Sequence, residues 1–317
     1  MTEPAAGPAG SQAVFLGIDC GGSHTAVVVG NQGGQVLARA EGPGSAMRPG
    51  GAERSAAVIL EVARRAAAQA GVSLPAVAAL IGAAGAGRAP EQDELAAAVK
   101  TAGAAERVAV RGDVEIALAA AFGNGPGVLM NAGTGSIAFA RVGDGRLFRA
   151  GGHGWQLGDE GGGYWLGRRA LSAAARAQDG LGESSTLLER LLVALGLQTF
   201  DDLIRWTSTA TPAQVAALAP HVLNAAREGE VVAQRIVGEA AEELTQLVRA
   251  LSRHFAGNDD FRIATAGGLL RPGSPLLAAF RARLGVEVPR ARFTDVGGSV
   301  DAPVGALRMA AELFGKS

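Results

Sequence analysis

The sequence contains one cysteine, few aromatic residues and no long apolar run, and each scarcity excludes a class of protein. Cys20 cannot form an internal disulfide, so we expect the chain in a reducing compartment, the cytoplasm. No stretch approaches the roughly eighteen apolar residues of a membrane-spanning helix. The four histidines have no metal-ligand spacing with one another or with Cys20, which argues against a zinc site.

An excess of charge is also lacking. The net charge is −1 and no basic run occurs, so the sequence offers no cluster of basic residues that would bind a nucleic acid. Hydrophobic residues make up 48% and charged residues 19%, a balance typical of a folded globular protein and not of a disordered one. Residues 1–12 are rich in Ala, Gly and Pro without a basic start or an apolar middle, which predicts a flexible tail and not a signal peptide.

Glycine, by contrast, is abundant, and it clusters where short apolar runs end. Residues 13–123 follow the order three strands, helix, strand, helix, strand, and residues 124–302 open again with hairpins before a helical insertion. Because tight turns join the first strands of each half and helices join the later ones, this pattern predicts an α/β fold with a weak internal duplication. We assign a final helix, residues 303–317, to the first half.

The first predicted hairpin turns through the sequence DCGGSHT, which begins at Asp19. The adjacent glycines Gly21 and Gly22 leave backbone N–H groups pointing outward, and Ser23 and Thr25 add hydroxyl donors, so the turn is a candidate cradle for phosphate oxygens. Asp19 is placed to hold a Mg²⁺ ion through water. Taken alone, the motif fits an ordinary hairpin turn equally well.

Two further glycine turns suit a nucleotide. Gly133, Thr134 and Gly135 lie between two apolar strands at the opening of the second half, and Gly267 and Gly268 follow a later strand. Two phosphate-type turns, each opening one half of the chain, rarely coincide by chance, and a glycine pair lets an adenine ring lie close to the backbone. Since no Gly-x-x-x-x-Gly-Lys-Ser/Thr loop is present, backbone N–H groups and Mg²⁺ would have to bind the phosphates of ATP.

Two acidic positions are candidates for contact with a substrate. Asp113 ends a predicted strand and precedes a helix, where a carboxylate can accept the proton of an attacking hydroxyl or cap the helix. The segment 151–164 contains seven glycines and an acidic pair, which suits a loop that holds a polyhydroxyl ligand. Its candidate substrate-binding residues are Gly152, His153, Asp159 and Glu160.

In this order along the chain, the motifs resemble the N-acetylglucosamine kinase family of the actin, hexokinase and heat-shock-protein superfamily. The resemblance covers nearly all of the chain after the tail. It implies a two-lobed, ribonuclease-H-like duplication with a nucleotide cleft between the lobes, ATP with Mg²⁺ as cofactors, and a small-molecule sugar as substrate. It assigns Asp19, Gly21, Gly22 and Ser23 to the first phosphate loop, Gly133, Thr134 and Gly135 to the second, Gly267 and Gly268 to the adenosine, Asp113 to the base and Asp159 to the sugar hydroxyls.

The expected reaction is phosphorylation of the 6-hydroxyl of an amino sugar. Ala46 and Ile137 stand where animal members of the family carry asparagine, so the sugar site is more apolar than theirs. An apolar wall, together with residues 161–163, would pack an acetyl methyl, whereas a buried ammonium would need a charge partner. We therefore expect N-acetylglucosamine to be preferred to glucosamine, with a glucosamine kinase as the alternative.

Other functional classes are disfavoured by what the chain lacks. An ATPase that activates a dehydratase or reductase would ligate an iron–sulfur cluster with cysteines, and the single Cys20 lies in the nucleotide turn. A sugar-responsive regulator would carry a DNA-binding module, for which residues 1–12 leave no room. A glucokinase of the related repressor group would carry a cysteine-rich zinc loop. The oligomeric state stays open, a homodimer included.

Overall fold

The structure is a computed structural model that describes residues 13–22, 24–257, 259–294 and 300–315. These residues form two compact units. The first comprises the described residues up to Asn124 together with those from Asp301 onward, and the second comprises Gly125–Val300. The predicted tail, residues 1–12, and Ser23 of the first glycine turn lie outside the described residues.

The first unit is built on a five-stranded sheet with the order β3-β2-β1-β4-β5. β1, β2 and β3 are antiparallel neighbours, whereas β4 and β5 run parallel to β1. Six of the seven residues of β1 are buried, because this strand lies at the centre of the sheet. The elements are β1 (Val14–Cys20), β2 (His24–Asn31), β3 (Val36–Pro43), α1 (Ala52–Ala70), β4 (Ala76–Ala83), α2 (Ala89–Thr101), β5 (Ala105–Gly112) and α3 (Asp113–Phe122).

The second unit begins with three antiparallel strands and continues with a helical region. The strands are β6 (Gly127–Ala132), β7 (Ser136–Arg141) and β8 (Leu147–Gly151). The helices are α4 (Gly163–Gln178), α5 (Leu187–Leu195), α6 (Phe200–Thr207), α7 (Pro212–Ala216), α8 (Ala219–Arg227) and α9 (Val231–Ser252). β9 (Phe261–Ala266), α10 (Pro275–Glu287) and β10 (Ala291–Phe293) complete the unit, and α11 (Ala302–Phe314) returns the chain to the first unit.

The two sheets have the same topology. The second has the order β10-β9-β6-β7-β8, so β6 occupies the central position that β1 holds in the first sheet. β6 pairs antiparallel with β7 and parallel with β9, as β1 does with β2 and β4. The α/β fold and its internal duplication are therefore confirmed. The short strand β10 was not predicted, because three residues carry no measurable periodicity.

Glycines allow α11 to pack directly on the backbone of the first sheet. A Cβ atom at Gly17 of β1 would lie 2.1 Å from the carbonyl oxygen of Pro303 and 2.3 Å from the backbone nitrogen of Leu307. On the other side of α11, a Cβ atom at Gly305 would lie 2.4 Å from the carbonyl oxygen of Ile116 in α3. The final helix is thus held between β1 and α3 by backbone contacts. No helix in the described ranges combines the length and the apolarity needed to cross a membrane.

Replacing Gly17 by Ala should lower the melting temperature by several degrees, because the added Cβ meets backbone atoms that cannot rotate away. Overpacking of this kind costs about 1–3 kcal/mol. Gly87→Ala is the matched control, since Gly87 is exposed and a Cβ atom there would have no neighbour within 4 Å. Thermal unfolding of the two variants measures the difference, and equal melting temperatures would contradict this account of α11.

Candidate active site

Asp19 and Asp113 lie at the same edge of the first sheet. β1, β4 and β5 are parallel, so their carboxyl ends meet at one edge. Asp19 is the penultimate residue of β1 and pairs in register with Gly82 of β4, while Asp113 directly follows β5. The strand order therefore brings together two carboxylates that are far apart in sequence.

Asp113 is not the N-cap residue of α3. The N-cap residue is Gly112, and its N–H donates a hydrogen bond of 3.2 Å to the side chain of Glu115. Asp113 is the first helical residue; its Oδ1 accepts a 2.9 Å hydrogen bond from the N–H of Val114, and the side chain is exposed. Asp113 is therefore not the N-cap residue, although its Oδ1 satisfies the first-turn N–H of Val114. Its Oδ2 has no hydrogen-bond partner among the described residues and can meet a ligand.

Asp19 is placed in a negatively charged environment. Burial and, to a smaller extent, the negative charge of Asp113 raise the pKa of Asp19 to about 6, although the charges of His24 and Arg39 oppose the shift. Asp301, which precedes α11, also raises the pKa of Asp19 and forms a 2.8 Å ion pair with Arg39. The motifs did not point to Asp301, because nothing in the sequence around it distinguishes it from an ordinary helix-start aspartate.

The residues at this edge fit a magnesium ion that is bound mainly through phosphate and water. Among the described residues no group of three or more His, Cys, Asp or Glu side chains is arranged to hold a metal ion by itself. However, Oδ1 of Asp301 is buried without a hydrogen-bond partner in the described part of the chain, and Asp19 carries negative charge that is poorly solvated. A hydrated cation would neutralise both carboxylates.

The first glycine turn offers fewer donors than the sequence predicted. The N–H of Gly21 donates to the carbonyl of His24 at 3.0 Å. The hydroxyl of Thr25 is buried, lies 2.7 Å from the carbonyl oxygen of Pro43, to which it donates, and 2.6 Å from the Ser45 hydroxyl. The predictions that the N–H of Gly21 and the hydroxyl of Thr25 are free to bind phosphate were therefore wrong. Gly22 remains open, since a Cβ atom there would meet nothing within 4 Å.

Ala46 lies directly beside this turn. The carbonyl oxygen of Gly21 accepts hydrogen bonds of 3.1 Å from the N–H groups of both Ser45 and Ala46. A hydrogen bond between the buried hydroxyls of Thr25 and Ser45 also holds this loop in place. The predicted sugar-site position is thus fixed to the first turn by the main chain, and Thr25 acts by positioning that loop.

The second glycine turn presents Thr134 at its tip. The N–H of Gly133 donates to the carbonyl of Gly135 at 2.9 Å, which closes the turn. The carbonyls of Gly133 and Thr134 accept hydrogen bonds of 2.8 and 2.9 Å from the N–H groups of Gly163 and Tyr164 at the start of α4. The hydroxyl and N–H of Thr134 are exposed and have no partner within the described ranges, so both can bind a phosphate oxygen.

The acidic segment packs against the second turn. Asp159 has a left-handed backbone with φ +64°, and an added Cβ atom on Gly135 would lie 2.2 Å from its carboxylate. Glu160 is exposed, and its carbonyl accepts a 2.6 Å hydrogen bond from the Ser136 hydroxyl. Gly152 and His153 follow β8 and differ in their surroundings. His153 is exposed, whereas Gly152 lies against the side chain of Ile137.

Residues 161–163 do not form the predicted wall for an acetyl group. All three are buried, and Cβ atoms there would meet the carbonyl oxygen of Ala240, the main chain of Gly135 and the side chain of Ala216, each within 3.3 Å. These glycines serve internal packing of α4 and α9 against the second turn. No surface is left on them for a substrate methyl.

A cavity of about 440 Å³ in the second unit joins the second turn to Gly268. The sequence motifs missed most of its lining, because alanines and a proline on helices carry no chemical pattern. Gly267 serves a different purpose, since it has φ +87° and a Cβ atom there would lie 2.2 Å from the carbonyl oxygen of Ala132. The newly found lining residues include Ala213, Ala216, Pro220, Asn224, Arg227 and Arg271.

The cavity is lined by both apolar side chains and polar groups. Arg227 donates a 3.0 Å hydrogen bond to the side chain of Asn224, one turn earlier on α8. Thr134 and Gly268 line the same cavity. Such a site accommodates a flat heterocycle with polar groups at its edge.

The chain is similar to known amino-sugar kinases. The chain is 32% identical to the N-acetylmuramic acid/N-acetylglucosamine kinase of Clostridium acetobutylicum over 89% of its length and 93% of the relative. It is 26% identical to the glucosamine kinase of Vibrio cholerae over 80% of its length and 84% of the relative. The crystal structure of a candidate N-acetylglucosamine kinase from Chromobacterium violaceum matches with a TM-score of 0.74 and 31% identity, over 94% of this chain and 98% of that one.

The resemblance to N-acetylglucosamine kinases that the motifs indicated is thereby confirmed. Residues 16–310 match the model of an ATPase family, a range that contains every candidate site residue named above. The chain therefore belongs to the BadF/BadG/BcrA/BcrD ATPase family.

Proposed function

We propose that the chain transfers the γ-phosphoryl group of ATP to the 6-hydroxyl of an N-acetylated amino sugar. The observation that carries the proposal is the exposed carboxylate of Asp113, which lies at the same sheet edge as Asp19 and the open Gly22. The identity of 32% to an amino-sugar kinase over 89% of the chain supports it.

In this reaction the sugar oxygen forms a bond to the γ-phosphorus, and the bond between that phosphorus and the leaving ADP oxygen breaks. The Asp113 carboxylate accepts the proton of the 6-hydroxyl and orients the oxygen. Gly22 and the N–H and hydroxyl of Thr134 bind phosphate oxygens, and the cavity beside Gly268 takes the adenosine. Mg²⁺, held near Asp19 through water, supplies charge neutralisation when bound.

Two features favour an acetamide over an ammonium on the sugar. Ala46 and Ile137 are apolar, and the carboxylates of Asp113 and Asp159 are both engaged elsewhere in the proposal. Asp159 lies against the second turn, which makes it a group that orients that turn as well as a candidate for sugar hydroxyls. Glu160 is exposed and, among the candidate substrate-binding residues, is the acidic side chain without another assigned role, so a glucosamine kinase remains the alternative.

The environment of Cys20 disfavours an activator-type ATPase. The residue is fully buried, and burial raises the pKa of its thiol to about 12, so it offers no thiolate at a surface where a cluster could be ligated. A lone, buried thiol is compatible with the cytoplasm, where ATP is available, and we place the enzyme there.

Purified protein with ATP and Mg²⁺ should release ADP in the presence of N-acetylglucosamine, with a higher kcat/KM than for glucosamine. A coupled assay on both sugars, with phosphorus NMR of the product, tests the sugar and the position of the phosphate together. A tenfold preference for glucosamine would overturn the acetamide assignment alone. Phosphate on an oxygen other than O6 would overturn the assigned position, and no sugar-dependent release would overturn the kinase.

Asp113→Asn should lower kcat by about 10²–10⁴ because a positioned general base is lost, while ADP binding stays close to that of the unmodified protein. Asp93→Asn is the matched control, since Asp93 is an exposed aspartate in the first half of α2. Steady-state kinetics and calorimetric titration with ADP measure the two effects. If Asp113→Asn turns over at the normal rate, this residue is not the base.

Asp19→Asn should stabilise the protein more at pH 8 than at pH 4. The pKa of Asp19 is raised on folding from 3.8 to about 6, so its ionised form opposes folding. That penalty is nearly absent at pH 4, grows as the pH rises to 6 and is complete above it, where it amounts to about 2–3 kcal/mol. Denaturant unfolding at both pH values, with Asp93→Asn as control, checks the sign. A gain that is equal at both pH values would show that Asp19 is not desolvated.

A further inference from the structure

A second cavity, of about 300 Å³, lies within the first unit beside Gly22 and Ala46. We call it the arginine cavity, because Arg48 and Arg54 are the only charged residues among the described ones that line it. Ser45 and Ser55 also line it. The cavity is therefore a positively charged pocket next to the position assigned to the sugar.

Neither arginine has a charge partner among the residues that the structure describes. Arg48 and Arg54 are exposed and make no ion pair or side-chain hydrogen bond with a described residue. Other arginines nearby are engaged, since Arg39 pairs with Asp301 and Arg65 donates to the carbonyl of Glu41 at 2.7 Å. Two unpaired guanidinium groups on one cavity attract an anion, and guanidinium groups bind carboxylates through paired hydrogen bonds.

The loop that carries Arg48 is fixed at both ends. On one side Met47 is buried, and its N–H donates a 2.8 Å hydrogen bond to the carbonyl of Ala84. On the other side the N–H of Gly51 donates to the carbonyl of Arg48 at 2.8 Å, immediately before α1. Arg54 lies in the first turn of α1, whose N-terminal N–H groups add partial positive charge. The cavity is thus organised before any ligand arrives.

We propose that the arginine cavity binds a carboxylate carried by the sugar substrate, with Arg48 and Arg54 as its partners. This inference rests on the proposed function. N-acetylmuramic acid has the required chemistry, since it is N-acetylglucosamine with a lactyl ether, and therefore a carboxylate, on carbon 3. The Clostridium acetobutylicum relative is named for both of these sugars. Arg48 and Arg54 then determine specificity for the acidic sugar and do not take part in phosphoryl transfer.

The test compares the double variant R48Q/R54Q with the unmodified protein on three substrates: N-acetylglucosamine, N-acetylmuramic acid and the neutral amide of N-acetylmuramic acid. The double variant should lose at least about tenfold in kcat/KM for the acid, since a charge-assisted hydrogen bond is removed. The values for N-acetylglucosamine and the amide should change less than threefold. Arg64→Gln, on the exposed face of α1 away from the cavity, is the matched control.

Three outcomes would overturn the inference while leaving the kinase intact. The unmodified protein fails to use N-acetylmuramic acid, or the double variant keeps its preference for the acid over the amide. Alternatively, the KM for ATP rises and both sugars lose activity equally, which would assign the arginines to the nucleotide phosphates. Absence of phosphorylation of every amino sugar would instead overturn the proposed function itself. Thermal unfolding of the double variant confirms that it is folded.

Discussion

The main chain of residues 159–163 lies directly on the turn formed by residues 133–135, and the arrangement of the second unit depends on this contact. In this contact the two main chains touch directly. The N–H groups of Gly163 and Tyr164 donate to the carbonyls of the turn, and a Cβ atom at Gly162 would lie 2.6 Å from the carbonyl carbon of Gly135. Side chains at these positions would separate the two segments. The tip residue Thr134 is therefore held by the same segment that supplies Asp159, so a displacement of one moves the other.

A different constraint governs the first unit, where like charges gather at the edge of a sheet. Burial and, after it, the negative charges of Asp113 and Asp301 raise the pKa of Asp19, whereas His24 and Arg39 oppose this shift. Such an arrangement is unfavourable for folding and is retained where a cation or a reacting proton compensates for it. The parallel strands β1, β4 and β5 and the backbone packing of α11 bring these aspartates to one edge.

The sequence was sufficient to predict the strands, the turns and the acidic residues at strand ends, because apolar runs and glycines mark them locally. It was not sufficient where segments distant in sequence determine the hydrogen-bond partners or the burial of a residue. The hydroxyl of Thr25 forms hydrogen bonds with Pro43 and Ser45, which lie 18 and 20 positions further along the chain. Residues 161–163 are buried in part by residues of α7 and α9. The helices that line the larger cavity carry alanines, which resemble any other helix face. Hydrogen-bond competition and long-range packing have no local pattern.

The burial of Cys20 also has a practical consequence. With one cysteine in the chain, and that thiol fully buried with its pKa raised to about 12, almost no thiolate forms near neutral pH. Maleimides and other electrophilic probes should leave it unmodified in the folded protein. A cysteine introduced at an exposed position of either unit would then be the sole reactive thiol. Fluorescent dyes and spin labels can therefore be attached at chosen sites without first removing a native residue, and distances between the two units can be measured in solution.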